Sequence, residues 1–303
     1  MNETLFTPLT EEEGRRIQEA NREQLQVFTP ATAADHLEAD WPEFLPDHLS
    51  PSQMGEYLMC PEKYRLARIV KLPQRSNVKL VIGTADTRAN AANMQQVIDT
   101  EEMLSVSDVQ DAASDAFAAR VEEDGGEGEV DWEDTKPGDA LDKAVLVSTV
   151  YRQTVAPQVR PVAVEQPIEF AVEGAPLVIG YADVVEAAQT IEKKTAASLT
   201  RTIQPWWMPQ GIVYAAALQQ PVAFHVTTKA VSPKVTTPET DEGLLQPVEA
   251  ARAAALVGSV ADALRSLAET KGPEKPWPGH GLTHGWACQL CPFKEAGCAW
   301  WQS

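Results

Sequence analysis

Cysteine and histidine are scarce in this chain, and long apolar runs are missing. The 303 residues include four cysteines and five histidines. So few thiols in so long a chain, behind a polar and acidic start (MNETLFTPLTEEEGRR) with no secretion signal, argue against a disulfide framework. No apolar stretch approaches a membrane span, so the expectation is a soluble, cytoplasmic protein with no membrane partner. Basic residues are also short: 25 Lys and Arg face 44 Asp and Glu, a net charge of −19. Phosphate contacts draw on Lys and Arg, so the global charge argues at first against nucleic acid. No internal repeat is present.

The few cysteines are not scattered. Cys60 stands alone, while Cys288, Cys291 and Cys298 form a C-x2-C-x6-C cluster, with no thiol between the two sites. One distant ligand plus a compact trio gives a single metal centre four thiolates. Tetrahedral sulfur suits zinc and iron–sulfur alike. Structural zinc usually draws on two compact pairs, and Cys60 has no close partner. A lone far ligand fits a cubane better, one thiolate to each iron. His284 is the rival ligand for zinc.

Charge is unevenly spread. Residues 122–134, EEDGGEGEVDWED, carry eight carboxylates and no base, and read as a flexible acidic loop. Residues 62–88 hold Lys63, Arg65, Arg68, Lys71, Arg75, Lys79 and Arg88 against Glu62 and Asp86, a local +5. A basic strip on an acidic body can track a phosphate backbone, or be an ordinary solvated helix face.

The periodicity predicts an N-terminal arm (1–48) with a helix starting at Thr10, then a helical lobe (49–158), a core (159–272) and a cysteine-bearing tail (273–303). Ser50-Pro51-Ser52-Gln53 reads as a capped helix start, and Pro61 ends that helix at Cys60. Strand patterns cover 159–172, 176–187, 189–195 and 220–230. Helix patterns cover 206–220 and 247–270, and 232–243 reads as loop. Strands flanked by helices indicate an α/β sheet carrying a helical lobe.

Within that sheet, Asp183 lies in GYADVV, and Glu192-Lys193-Lys194 follows nine residues later. Alternation puts Glu192 and Lys194 on one face and Lys193 on the other. A hairpin across AAQ brings Asp183 beside Glu192. Two carboxylates and a lysine on one face suit Mg²⁺, which takes few carboxylates and completes its shell with water and phosphate oxygens. Lys194 would orient the attacking water. Gln210 and Tyr214, four apart on one helix face, are expected to hydrogen-bond the lysine or a phosphate. Trp206, Trp207 and Tyr214 are candidates for base stacking. A solvated charged strand face is the plain alternative for EKK.

Taken in order, these fragments resemble the RecB-like, iron–sulfur branch of the PD-(D/E)xK nuclease superfamily, with its CRISPR-associated, AddB-type and phage-encoded exonucleases. LSPSQMGEYLMCPEKYRL resembles the opening helix, VIGTADTRANAA the Gly-Thr-Ala helix start, GYADVVE the metal-binding aspartate segment, TIEKKTA the (D/E)-x-K-T core and PQGIVY the Q-x3-Y element. The resemblance implies a restriction-endonuclease-like mixed sheet flanked by helices, with a helical lobe and a C-terminal cysteine tail. It implies a Mg²⁺- or Mn²⁺-dependent deoxyribonuclease acting on single-stranded DNA or DNA ends in repair or recombination. Asp183 and Glu192 would be its metal ligands, and Asp183, Glu192, Lys194, Gln210 and Tyr214 its catalytic set. A structural [4Fe–4S] cluster would sit on Cys60, Cys288, Cys291 and Cys298. Homo-oligomers, or recombination or CRISPR partner proteins, fit the same resemblance. Where the family often has a histidine, this chain has Thr87; adjacent Asp86 is a candidate substitute, and Glu165 a further acidic contributor. The rival expectations are a catalytically weak DNA-binding or adaptor protein and a zinc-stabilised interaction protein.

Overall fold

The computed structural model describes residues 41–279, 286–289, 291–294 and 297–301. The helix expected from Thr10, and His284, lie outside them. Strand β1 (His48–Leu49) leads into α1 (Pro51–Met59). The Ser50 hydroxyl accepts the Gln53 N–H at 3.2 Å while the Gln53 side chain accepts the Ser50 N–H at 3.4 Å, closing the predicted capping box. Cys60 ends α1 in extended backbone and caps α2 (Pro61–Tyr64), its Sγ accepting the Lys63 N–H at 3.4 Å. A π-helical turn follows at Arg65–Ile69.

Three long helices pack together as a lobe: α3 (Val78–Thr100), α4 (Val106–Glu123) and α5 (Pro137–Thr154). Val81, Ile82, Ala85, Phe117, Ala140 and Ala144 belong to the small apolar core of this lobe. The acidic 122–134 segment, expected to be a flexible loop, is folded against it. Strand β2 (Ser76–Asn77) pairs in parallel with β3 (Val130–Asp131), and Val130 is buried. The Trp132 ring lies 6.2 Å from that of Phe117. One valine and one tryptophan give this polar run enough apolar surface to dock.

The main sheet contains β4 (Pro161–Phe170), β5 (Leu177–Glu186), β6 (Thr190–Ala196), β7 (Val222–Thr228) and β8 (Val235–Thr236). The last of these falls in the segment predicted as loop. Pairing is mixed: β4 and β6 run antiparallel to β5, β6 and β7 are parallel, and β8 closes the order antiparallel to β7. Helix α6 (Met208–Leu218) joins the two parallel strands, and α7 (Ala250–Lys271) packs against α6. The central mixed sheet flanked by helices is the expected fold class.

β5 decides where the site falls. One edge is paired with β4 along its length, but the other is shared. At its start, β1 pairs with Leu177 and Val178; at its end, β6 pairs with Val184 and Val185. Residues 179–183 therefore face a gap between two neighbours that splay apart. Trp41 and Leu45, at the end of the expected arm, and Leu49 just beyond it join Met54 and Tyr57 of α1 in the main core with α6 and α7. α1 thus packs on the sheet layer and not on the α3–α5 lobe. Among the described residues no helix is long and apolar enough to cross a membrane.

Candidate active site

A gap in a sheet leaves backbone groups without partners, and buried groups of that kind need replacements. Side chains supply them here. The Tyr214 hydroxyl accepts the Tyr181 N–H at 3.0 Å and donates to the Tyr181 carbonyl at 2.9 Å. Asp183 Oδ2 accepts the Lys193 N–H at 2.7 Å, and Glu192 Oε1 accepts the Asp183 N–H at 3.3 Å. The two carboxylates face each other across the point where β5 and β6 part. Gly180 is required for this closure, since a Cβ there would lie 2.7 Å from the Tyr214 hydroxyl oxygen.

Lys194 enters on the same face, its Nζ 3.2 Å from Glu192 Oε2, while Lys193 points the other way, as alternation predicts. Gln210 Nε2 donates to Glu192 Oε2 at 2.7 Å. Glu192 is fully buried, and its pKa is pushed up to about 8, first by burial and then by the charge of Asp183, with Lys194 opposing. Burial also raises Asp183, against the pull of Lys194. Two carboxyl groups that resist ionisation side by side are a site short of positive charge. Asp183 Oδ1 accepts no hydrogen bond among the described residues, so one oxygen stays open to a cation.

The PD-(D/E)XK nuclease superfamily model matches residues 48–296. The chain belongs to the PD-(D/E)XK nuclease superfamily. No curated protein matches it by sequence. Among solved structures, a candidate exonuclease from Eubacterium rectale is similar at 12% identity, with 94% of this chain and 93% of that one covered and a TM-score of 0.45. The protein SSO0001 is similar at 14% identity, with 82% and 97% covered and a TM-score of 0.30. Likenesses so loose assign no residue and no activity to this chain.

Several expectations are met differently. Gln210 touches Glu192 and Tyr214 touches the Tyr181 backbone; neither bonds Lys194. Tyr214 is 2% exposed, and Trp207 stacks on Phe224 with ring centroids 5.8 Å apart, so both pack into the protein instead of offering a face to bases. Asp86 does not replace the missing histidine. It is buried on the far side of β6, 3.0 Å from Lys193 Nζ, with Asn90 and Ser148 as further donors. Thr87, one position on, does face the cavity beside Lys194, and so does Glu165. Glu165 stands between the Val164–Val184 and Gln166–Ala182 pairs, opposite Asp183, with a left-handed φ of 47°. Two carboxylates thus meet where β5 and β6 part, with Glu165 on the wall of the adjoining cavity, and no group of three or more His, Cys, Asp or Glu arranged to hold a metal occurs among the described residues.

The basic strip is mostly neutralised. Arg65 pairs with Glu62, Lys63 and Arg68 share Glu56, Lys79 meets Glu133 and Arg88 meets Glu123. The last two carboxylates come from the acidic 122–134 run, so two charge blocks far apart in sequence cancel in space. At the other end, Cys288, Cys291 and Cys298 line one pocket with Trp300 and Trp301. Burial raises the Cys291 thiol, against the pull of Lys63.

A clamp invisible in the sequence docks this tail. The buried Glu62 carboxylate accepts both Arg65 Nε and Nη2 at 2.8 Å and the Trp277 N–H at 2.7 Å. Arg65 Nη1 donates to the Pro273 carbonyl at 2.6 Å. Trp277 is fully buried and its carbonyl accepts Trp300 Nε1 at 2.6 Å.

Proposed function

We propose that this chain is a Mg²⁺- or Mn²⁺-dependent deoxyribonuclease of the RecB-like branch, hydrolysing single-stranded DNA or DNA ends. The observation that carries the reading is the meeting of Asp183, Glu192 and Lys194 where β5 and β6 part. Asp183 and Glu192 would hold the divalent ion: their raised proton affinity and the open Asp183 oxygen suit a small hard cation. An ion held by Asp183 and Glu192 would supply polarisation of the phosphodiester and a more acidic water. Lys194 stands 3.2 Å from Glu192 and is partly exposed, so it can hold that water and offset charge on the reacting phosphoryl group. Gln210 fixes the orientation of Glu192, and Tyr214 satisfies the Tyr181 backbone beside the gap along β5.

In this reading Cys60, Cys288, Cys291 and Cys298 hold a [4Fe–4S] cluster with a structural role. Four soft thiolates are the donor set a cubane takes. Three of them line one pocket, and Cys291 feels the charges of Cys298 and Cys60. On the same reading residues 49–158 comprise the cluster-ligand helix and the helical lobe, 159–272 the nuclease core and 273–303 the cluster tail.

The test is cleavage of end-labelled single-stranded DNA by anaerobically purified protein with Mg²⁺ or Mn²⁺, beside Lys194→Ala. Cleavage that Lys194→Ala abolishes is expected. Cleavage that survives it sinks the assignment of the site. Thr87 favours a second reading, a DNA-binding protein of weak activity, because it leaves two carboxylates and no imidazole at the ion. DNA binding by an iron-loaded protein that cuts with neither ion would establish that alternative.

A further inference from the structure

We propose that the Lys229 ammonium, seated on Thr195 beside Lys194, binds a phosphodiester of the substrate strand next to the one that is cleaved. The inference rests on the nuclease reading and adds a contact to the same site.

Lys229 follows the last residue of β7, and its N–H donates to the Ala196 carbonyl at 2.8 Å, carrying the β6–β7 pairing one step further. This fixes its backbone beside the end of β6, one residue past Thr195. Its Nζ lies 3.2 Å from Thr195 Oγ1 and 3.5 Å from the Lys79 carbonyl. Among the described residues it makes no ion pair, although it is half-buried. Burial, and next the charge of Lys79, bring its pKa down to about 8.

A half-buried cation held by two neutral oxygens and repelled by Lys79, with Asp86 and Glu133 attracting it only from beyond ion-pair distance, gains from an anion on its open side. The cavity it faces has a volume of about 480 Å³ and also receives Lys79, Arg88 and Lys194. Glu165 is the one carboxylate in its lining. Lys79, Arg88, Lys193 and Lys194, the other cations of the lining, each have a carboxylate partner, so among the described residues Lys229 is the cation of this cavity left to bind. Thr195 and Lys194 alternate across β6 but line one cavity with Lys229, so an anion on Lys229 shares that cavity with the group that Lys194 serves. In a nucleic acid strand the nearest such anion is the neighbouring phosphodiester. A lysine serves there as a point charge and reads no base.

The experiment measures the affinity of the full-length protein for a fluorescent single-stranded oligonucleotide in EDTA, across a range of salt, for wild type and Lys229→Met. The expected result is binding weakened about tenfold, the scale of one lost charge-assisted hydrogen bond. The slope of log Kd against log salt should shrink by about 0.7, one phosphate's share on a single strand. Lys229→Arg should restore both. Lys229→Gln is read in the same way, so a misfolded Met variant does not decide the matter. An unchanged affinity and slope would overturn the proposal, as would an effect confined to oligonucleotides with a 5′-phosphate, which would indicate a terminal monoester. Wild-type cleavage with Lys229-independent binding sinks this contact alone. Lys229-dependent binding by a protein that cuts nothing sinks hydrolysis alone.

Discussion

At the scale of single residues, Glu192 governs the chemistry through its proton. Burial and Asp183 together hold its carboxyl near pKa 8, so at pH 7 the ion-free protein keeps most of that proton. A divalent cation must displace it, and the sign follows. As pH falls below about 8 the proton competes and affinity weakens; above about 8 affinity levels off. We predict that Mn²⁺ binding at pH 7 releases close to one proton, read by calorimetry in buffers of different ionisation enthalpy. Glu192→Gln should abolish the release. A wild type that binds Mn²⁺ with no proton released would contradict the assignment of Glu192 as a ligand. The alternation of Glu192 and Lys194 was legible in EKK because a strand has a fixed period. The bond from Gln210 to Glu192 was not, because the distance between α6 and β6 is set by packing and not by spacing along the chain.

At the scale of elements, the lobe is joined to the sheet by a buried polar seam. Lys193 turns away from the site, pairs with Asp86 of α3 and sits 3.8 Å over the Tyr151 ring of α5. The Tyr151 hydroxyl in turn meets His225 Nδ1 of β7 at 2.9 Å, and burial with the Lys193 charge takes His225 down to about pKa 4. A buried ion pair is costly to halve and cheap to replace whole. Asp86→Ala is therefore expected to destabilise the fold by about 3–5 kcal/mol, and Asp86→Leu with Lys193→Met to recover most of that loss. Chemical denaturation of the double-mutant cycle measures it. A single-mutant loss below about 1 kcal/mol would show that the seam does not hold the lobe. GTADTR gave no hint of this seam, since a helix position has no direction until a neighbour packs on it.

At the scale of the whole molecule, the tail returns to the first helices, and two devices would hold it. One is the Glu62–Arg65–Trp277 clamp; the other is the proposed cluster bridging Cys60 and the C-terminal thiols. Closing so long a loop removes much of the freedom of the open chain. We expect iron removal by a chelator to expose residues beyond Gly279 to protease while the chain through Trp277 stays protected. Glu62→Ala should release both stretches. Limited proteolysis with fragment masses reads the difference, and a tail as resistant without iron as with it would refute the closing role.

What the sequence determined by itself was local: the capping box at Ser50, the strand alternation around Asp183 and Glu192, and the C-x2-C-x6-C grouping of three thiols. Each is a short-range rule of spacing, and each needs only its own residues. The tertiary structure alone decided which charges remained unmatched. It set the acidic run of 122–134 against Lys79 and Arg88, turned Asp86 toward Lys193 and left Lys229 facing the cavity. The physical reason is that a charge acts over several ångströms of space, whatever the number of residues between, and only folding sets those distances.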